Sequence, residues 1–211
     1  MWWQFLTCIA IGYLVGSIPV GLLIGRLVRG IDIREFGSGK TGFTNVVRTV
    51  GARWGILALL GDLAKGAAPV VLARIISDDP FVAMAAGLAT AIGHDWPVFA
   101  GFKGGRGVAA SYGVILAMNP IAGVVLLPFG LAIIGVTRIV SLMSIVMAPV
   151  MAIVFIVLAA FDLHPWAYAI YAIAAAVLIV VLHWENVQRL LAGTEPRIGE
   201  GGSRREGAQA S

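Results

Sequence analysis

Apolar runs of about 20 residues recur along this chain, and a helix of that length crosses about 30 Å of hydrocarbon. Hydrophobic residues make up 59% of the sequence and charged residues only 12%, whereas a soluble domain usually carries about 25% charged residues. We therefore predict an all-α integral membrane protein. The single cysteine, Cys8, excludes an intrachain disulfide framework and disfavours a thiolate metal site.

The apolar pattern predicts seven transmembrane helices, two of them short. Five spans correspond to residues 5–25, 54–76, 80–102, 139–161 and 165–182. Residues 108–136 are too many for one span, and Asn119-Pro120 interrupts them, so we divide them into two shorter helices. We expect residues 1–198 to form one domain. Residues 199–211, rich in glycine, serine and charge, are expected to be a disordered cytoplasmic tail.

The basic residues set the orientation in the membrane. Positive charges follow the first apolar run instead of preceding it, which favours an uncleaved first span with the N-terminus outside. Seven spans then place every lysine and arginine in the cytoplasm except Lys65, inside a span, and Arg74, near an outer end. If residues 108–136 formed one helix, Arg138 and the basic tail would lie outside, against the positive-inside rule.

The first candidate segment, residues 34–48, is a glycine-rich cytoplasmic loop. Gly37 and Gly39 flank Ser38, so backbone N–H groups can converge into a nest for phosphate oxygens. Neutral and charged donors surround this nest: Ser38, Thr41, Thr44, Asn45, Lys40 and Arg48. The same composition is also typical of an ordinary interfacial turn, so the segment alone leaves both interpretations open.

Gly39-Lys40-Thr41 matches the end of a nucleotide-binding P-loop. That motif requires a glycine at position 34, which is Arg34, and a preceding strand instead of a membrane span. We therefore reject a nucleotide-binding loop.

The second segment, residues 102–107, reads Phe-Lys-Gly-Gly-Arg-Gly and ends the third predicted span. Lys103 and Arg106 surround paired glycines, which let a backbone approach a ligand closely. The positive-inside rule by itself would explain these two charges, but it would not explain the glycines. Just before this segment, His94 and Asp95 are interpreted as a structural hydrogen-bonded pair, in preference to a catalytic one.

The third segment, His183-Trp184-Glu185-Asn186, closes the last span. His183 and Asn186 are three residues apart and share a helix face. A histidine here is also typical of an interfacial residue. Inside the second span, Asp62 and Lys65 are likewise three apart, and both a structural ion pair and a functional role are open.

All three segments lie on the cytoplasmic side in the seven-span arrangement, which favours more than one phosphate group as ligand. Their order and spacing, with Gly16-Ser17-Ile18-Pro19 before and Gly193-Thr194-Glu195-Pro196 after them, resemble the bacterial acyl-phosphate:glycerol-3-phosphate acyltransferase family (PlsY type). The resemblance implies transfer of a fatty acyl group from acyl phosphate to the 1-hydroxyl of glycerol 3-phosphate. The products are lysophosphatidate and phosphate, in phospholipid synthesis.

The resemblance also implies a seven-span enzyme of the bacterial inner membrane, with the active site and C-terminus in the cytoplasm. No metal or other cofactor is expected. The expected partners are acyl phosphate, glycerol 3-phosphate and membrane lipid, with neither a nucleic acid nor an obligate protein partner.

Carried over position by position, the resemblance implies catalytic roles for Ser38, Arg48, His183 and Asn186. It implies substrate or phosphate binding by Gly37, Gly39, Thr44, Asn45, Lys103, Gly104, Gly105 and Arg106. Three positions depart from the family pattern: Lys40 replaces the usual asparagine, Phe43 a common alanine, and Arg106 a common lysine. Arg106 keeps the charge but presents a planar fork, whereas Lys40 changes both charge and donor geometry.

An acyl phosphate is already activated, so the enzyme has mainly to align the hydroxyl, stabilise the oxyanion and neutralise the departing phosphate. We expect direct attack, with a donor phosphate oxygen taking the proton and His183 as the alternative base. Ser38 as a covalent nucleophile is disfavoured, because the spacing fixes no base beside it.

A transporter of a small phosphorylated metabolite is the competing function, and a non-catalytic scaffold is a third. A transporter site would lie near the midplane, where only Asp62, Lys65 and His94 are available, and the sequence has no evident inverted repeat. A scaffold leaves the combination of glycines and cations unexplained.

Overall fold

The computed structural model describes residues 2–204, and the regular structure within this range is helical. The helices are α1 (Trp2–Gly16), α2 (Val20–Arg29), α3 (Phe43–Thr49), α4 (Ala52–Ile76), α5 (Pro80–Asp95), α6 (Val108–Met118), α7 (Pro120–Thr137), α8 (Val140–Ala160), α9 (Trp166–Leu182) and α10 (Trp184–Leu191). Two 3-10 turns, Ile33–Glu35 and Val98–Ala100, lie in the loops. The prediction of an all-α membrane protein is confirmed.

Side-chain caps and prolines begin two of these helices. Asp79 accepts a hydrogen bond from the Phe81 N–H at 2.9 Å, and Pro80 starts α5. Asn119 accepts from the Ala122 N–H at 3.0 Å, and α7 starts at Pro120. Both pairs satisfy donors that a helix start leaves free, so the predicted break at Asn119-Pro120 is present.

The structure differs from the predicted spans at two places. The first span is not one helix, because α1 ends at Gly16 and α2 begins at Val20, after Pro19. The third predicted span, residues 80–102, is helical only to Asp95. Pro97 follows two residues later and cannot donate a helical hydrogen bond, so the chain turns into a loop there.

Helix length and hydropathy identify four segments able to cross a membrane: Trp2–Arg29, Ala52–Ile76, Pro120–Thr137 and Val140–Ala160. The pair α9–α10, bent by 59°, makes a fifth. Helices α5, with 16 residues, and α6, with 11, are shorter than these segments. The count of seven therefore remains a prediction. The two spans predicted to be short correspond to α6 and α7, but α7, with 18 residues, is long enough to cross, and the short helices in the structure are α5 and α6.

Helix α5 packs against α1, α4, α6 and α9. Small residues bring the helices together, since a side chain at Gly16 would collide with the Thr90 backbone and one at Gly66 with the Ala110 carbonyl. The larger core contains Phe155 and Tyr171. A smaller core contains Leu22, Ile33, Val46 and Ala58, and it fixes the first loop to α2 and α4.

Candidate active site

Asn45 organises the first glycine-rich loop from its interior. Its side chain is 2% exposed, and Nδ2 donates to the Ile33 and Lys40 carbonyls, both at 2.8 Å. Its Oδ1 accepts from the Ser38 N–H at 3.2 Å. Gly37 lies against this oxygen, so a side chain there would collide with it. The Asn45 amide is thus occupied by the loop backbone.

The N–H groups of the predicted nest each have an acceptor within the protein. Gly37 and Gly39 have φ values of 52° and 68°, which favour glycine. The Gly37 N–H donates to the Ser203 carbonyl at 3.0 Å, and the Gly39 N–H to Phe36 at 2.9 Å. With the Ser38 N–H on Asn45, the loop has the predicted turn, but its donors are engaged in this structure.

The second segment is shaped by His94. The Gly105 N–H donates to the His94 carbonyl at 3.2 Å. A side chain at Gly104 would collide with the same carbonyl, and one at Gly105 with the imidazole Nε2. The paired glycines are therefore required by contact with α5, independently of any ligand. Lys103 is exposed and has no side-chain hydrogen bond or ion pair among residues 2–204.

Arg106 points back toward the end of α9. Its Nε donates to the Leu182 carbonyl at 3.0 Å, and its side chain is 13% exposed. Nη2 lies 3.9 Å from the exposed Glu185 carboxylate. Arg106 is thereby placed beside the His183 segment.

His183 is buried at the end of α9. Its Nδ1 lies 2.8 Å from the Ile179 carbonyl, and because a carbonyl only accepts, Nδ1 carries the proton. Burial, assisted by the positive charge of Arg106, lowers the pKa of His183 to about 4. The ring is therefore neutral near pH 7, and its Nε2 is an acceptor.

Glu195 belongs to the site, although it is not among the catalytic and binding residues predicted from the sequence. Its side chain is 6% exposed and accepts from Ser141 Oγ at 2.7 Å, Asn186 Nδ2 at 2.6 Å and Arg189 Nε at 2.7 Å. Burial raises the pKa of Glu195, but these hydrogen bonds outweigh burial and the pKa is lowered overall. The available sequence signal was the Gly193-Thr194-Glu195-Pro196 motif, which is part of the family resemblance.

Arg48 completes the cluster from α3. Its Nη2 donates to the Pro196 carbonyl at 3.2 Å, whereas its Nε is buried without a partner in the described range. Burial lowers the pKa of Arg48, and Arg189 is close enough to lower it further while Glu195 raises it. The pKa of Arg106 is lowered too, mainly by burial and further by the positive charges of Arg189 and Arg48.

The structure therefore brings together four predicted residues: Arg48, Arg106, His183 and Asn186. Arg189 and Glu195 join them. Three guanidinium groups lie near the buried side chain of Glu195, whereas the other carboxylates near them, Glu185 and Glu200, are exposed to solvent. This arrangement favours an anionic ligand. Within residues 2–204 no side-chain hydrogen bond or ion pair joins Ser38, Thr44 or Lys103 to this cluster. No group of three or more His, Cys, Asp or Glu in this range could hold a metal.

Two further interpretations can be compared with the structure. Asp62 and Lys65 form the expected ion pair, with 3.0 Å between Oδ1 and Nζ. His94 and Asp95 do not bond each other in the described chain; instead, His94 Nδ1 lies 3.6 Å from Asp62 Oδ1. Helical geometry explains this difference, because adjacent residues point in different directions.

Sequence comparison supports one family over nearly the whole chain. The family model described as glycerol-3-phosphate acyltransferase matches residues 6–193. The glycerol-3-phosphate acyltransferase of Synechococcus sp. (strain CC9902) is 42% identical over 197 residues, which cover 93% of this chain and 96% of the relative. That of Geobacter sulfurreducens is 45% identical over 189 residues, covering 89% and 94%.

Two solved structures share the fold. Both are crystal structures of PlsY (YgiH), an integral membrane glycerol 3-phosphate acyltransferase. The glycerol 3-phosphate form has a TM-score of 0.86 at 38% identity, covering 92% of this chain and 96% of that chain. The lysophosphatidic acid form has a TM-score of 0.83 at 37% identity, covering 92% and 94%. The chain therefore belongs to the glycerol-3-phosphate acyltransferase family.

Proposed function

We propose that this membrane protein transfers a fatty acyl group from acyl phosphate to the 1-hydroxyl of glycerol 3-phosphate. The products are lysophosphatidate and inorganic phosphate. The observation that carries this proposal is the cluster of Arg48, Arg106 and Arg189 around the Glu195 carboxylate, in which the Arg106 side chain is largely buried and Arg48 and Arg189 are partly buried. Family membership identifies the protein as an acyltransferase, and the cluster supplies the charge that phosphorylated substrates require.

The cluster matches phosphate in charge. A phosphate monoester carries about −1.5 to −2 charge at neutral pH, so one such group offsets the excess of the three guanidinium groups. The unpartnered Nε of Arg48 is a ready donor. Arginine can bind a phosphate through two parallel hydrogen bonds, which fixes orientation as well as affinity.

The remaining candidates have complementary roles in this proposal. Gly37 and Gly39 shape the donor-phosphate loop, and the hydroxyls of Ser38 and Thr44 and the Asn45-organised backbone line it. The Gly104-Gly105 turn and Arg106 bind the phosphate of the acceptor. Lys103, exposed at the end of this turn, attracts anions toward the site by its charge.

The reaction depends more on aligning the acceptor hydroxyl with the acyl carbonyl than on general acid–base catalysis. The acceptor hydroxyl oxygen attacks the acyl carbonyl carbon, and the bond between that carbon and the bridging phosphate oxygen breaks. The hydroxyl proton passes to a donor phosphate oxygen, so hydrogen phosphate leaves. Neutral His183 can orient the hydroxyl through Nε2 or take the proton instead. Asn186 and the guanidinium groups stabilise the developing negative charge.

The proposed setting is the bacterial inner membrane, with seven spans, the N-terminus outside and the cluster facing the cytoplasm. Residues 1–198 form the catalytic domain, and no protein partner is required. The exposed apolar faces of α7 and α8 are in contact with membrane lipid in this arrangement.

The proposal is tested with purified protein, labelled glycerol 3-phosphate and palmitoyl phosphate, in parallel with palmitoyl-CoA as donor. We expect labelled lysophosphatidate and an equal amount of phosphate from palmitoyl phosphate alone. Arg48→Ala should abolish the product, whereas Arg53→Ala, which removes an exposed cation next to the same loop, should not. Absence of lysophosphatidate, with uptake of label into proteoliposomes, would instead establish a transporter.

A further inference from the structure

A buried ionic cluster lies inside the helix bundle and has no part in the proposed chemistry. It consists of Asp62 and Lys65 on α4 and His94 on α5, which are 1%, 7% and 4% exposed. Asp62 Oδ1 lies 3.0 Å from Lys65 Nζ and 3.6 Å from His94 Nδ1. Ionisable groups within a membrane protein are costly, so their retention usually has a function.

One end of this ionic cluster contacts the Gly104-Gly105 turn. The His94 carbonyl accepts from the Gly105 N–H, and the imidazole Nε2 lies against the Gly105 Cα. The other ring nitrogen faces Asp62. A rotation of the imidazole would therefore disturb its contact with the turn, and the Asp62 carboxylate, 3.6 Å from Nδ1, lies where it can hold the ring in this orientation.

The other end of the ionic cluster contacts the break in the first span. Lys65 Nζ donates to the Ile18 carbonyl at 2.7 Å, immediately before Pro19. Helix α2 begins after this break and leads into the first glycine-rich loop. The same three side chains therefore contact both chain segments that lead into the proposed substrate loops.

We infer that Asp62, Lys65 and His94 are positioning residues, which set the acceptor-binding Gly104-Gly105 turn relative to the first loop. They do not contact the reacting atoms. Weakening the contact between Asp62 and His94 should impair the affinity for glycerol 3-phosphate before it impairs the chemical step. This inference rests on the proposed assignment of that turn to glycerol 3-phosphate.

The test compares Asp62→Asn and His94→Gln with the full-length parent in lipid nanodiscs. We expect the KM for glycerol 3-phosphate to rise about tenfold in each variant, with kcat and the KM for palmitoyl phosphate within about twofold of the parent. The double variant should be no worse than Asp62→Asn alone, because Asp62→Asn already removes the charge that His94 faces. Asp78→Asn and His164→Gln make the same chemical changes outside this cluster and should leave the KM unchanged.

A fall in kcat with an unchanged KM, or parental kinetics in both variants, would overturn the positioning role. His94→Gln retains the ion pair between Asp62 and Lys65, so it serves as the test if Asp62→Asn does not accumulate. Gly105→Ala tests the assignment of the turn to glycerol 3-phosphate separately from the positioning role of the ionic cluster. An unchanged acceptor KM in that variant refutes the assignment of the turn itself. A raised KM in Gly105→Ala alone refutes only the positioning role.

A second, independent observation concerns the strap, defined as residues 196–204. The Ser203 carbonyl accepts from the Gly37 N–H, and Phe36 and Arg204 form an antiparallel bridge. Arg204 Nη2 lies 2.8 Å from Glu35 Oε2, and its guanidinium carbon lies 5.9 Å from the Phe36 ring centroid. The strap follows the residues that the family model matches.

The strap also reaches Arg48. The Pro196 carbonyl accepts from Arg48 Nη2 at 3.2 Å, and a side chain at Gly202 would lie 2.6 Å from the Arg48 carbonyl. Carbonyl oxygens of the strap therefore occupy the Gly37 N–H of the proposed donor-phosphate loop and Nη2 of Arg48, which lies on α3 directly after that loop. Neutral carbonyls bind such donors less strongly than a phosphate dianion does.

We propose that the strap is a built-in competitor of acyl phosphate, displaced when the donor binds. Its only described ion pair, Arg204 with Glu35, is exposed, and exposed ion pairs contribute little to stability. The strap therefore lowers donor affinity without blocking the site permanently. This proposal also rests on the proposed donor site.

Removal of residues 199–211, and separately Gly202→Val, test the strap in the intact remainder of the chain. We expect the KM for palmitoyl phosphate to fall about threefold or more, with the KM for glycerol 3-phosphate unchanged. Amide hydrogen exchange at Gly37 should accelerate without substrate. Gly135→Val is the control, because no described atom lies within 4 Å of its added carbon.

A raised or unchanged donor KM, or unchanged exchange at Gly37, would overturn this second proposal. The acyltransferase activity of the parent protein shows whether only the strap proposal has failed or the proposed function has failed as well. A parent that makes lysophosphatidate from palmitoyl phosphate upholds the function whatever the strap does.

Discussion

Asn186 and Glu195 are joined by a hydrogen bond of 2.6 Å between Nδ2 and Oε1, which connects α10 to the chain that follows it. Glu195 also accepts from Arg189 and Ser141, so one carboxylate orients an amide, a guanidinium and a hydroxyl. Because the carboxylate is almost fully buried, these contacts hold Asn186 and Arg189 in place beside the proposed phosphate site.

Glu195→Gln should therefore disorganise the site. The substitution removes the charge that balances Arg189 and replaces one acceptor oxygen by a donor. Losing one partner of a buried hydrogen bond costs about 1–3 kcal/mol, so we expect a lower thermal midpoint and a loss of at least about tenfold in kcat/KM. Thermal denaturation in detergent and initial rates measure both. Glu185→Gln, which removes an exposed carboxylate nearby, should stay within about twofold in kcat/KM.

Arg48→Lys tests the guanidinium geometry without removing the charge. A lysine supplies a point charge but no planar fork, so it cannot reproduce the contacts of Nη2 and the free Nε together. We expect the KM for acyl phosphate to rise about tenfold, with a smaller change for glycerol 3-phosphate. Arg53→Lys, at an exposed position in the first turn of α4, is the matched control. Equal kinetics for Arg48→Lys and the parent would contradict bidentate binding.

Lys40→Asn restores the residue that the family pattern has at this position. The structure uses only the Lys40 backbone, whose carbonyl accepts from Asn45, so the loop should keep its shape. We expect kcat and the KM for acyl phosphate to change less than about threefold. A larger loss in steady-state rates would show that the ammonium group of Lys40 contributes to the donor site.

The neutral state of His183 gives a prediction for pH. Its pKa in the folded protein is about 4, below the ordinary histidine value of 6.5, because the ring is buried. The unfolded chain therefore binds more protons between these values, so the contribution of His183 to stability is complete above pH 6.5 and is lost as the pH falls toward 4. Thermal midpoints measured from pH 7 to pH 4 should fall less steeply for His183→Gln than for the parent.

The same neutral ring predicts the pH–rate profile. Between pH 5 and pH 8 the charge of His183 does not change, so the parent and His183→Gln should give kcat profiles of the same shape, at different heights. An acid limb near pH 6.5 that disappears in His183→Gln would show that bound substrate raises the histidine pKa, and it would favour the role of general base.

Family membership and the three segments could be recognised from sequence, because short motifs need only local order. Gly37 and Gly39 show this, since their positive φ values fit the predicted turn. The engagement of the same turn by the strap could not be predicted, since the contact between Gly37 and Ser203 depends on how a distant segment folds back. The domain boundary at residue 198 remains a prediction. Residues 205–211 of the expected tail lie outside the described range.

The sequence by itself determined the membrane class, the break at Asn119-Pro120 and the order of the cationic segments, because hydropathy, proline geometry and residue identity are local properties. Only the tertiary structure decided which groups meet. The contact of Arg106 with the Leu182 carbonyl joins residues 76 positions apart, and burial around it also makes Glu195 a shared acceptor and keeps His183 neutral. Helix packing creates these environments, and no single segment contains the information that specifies them.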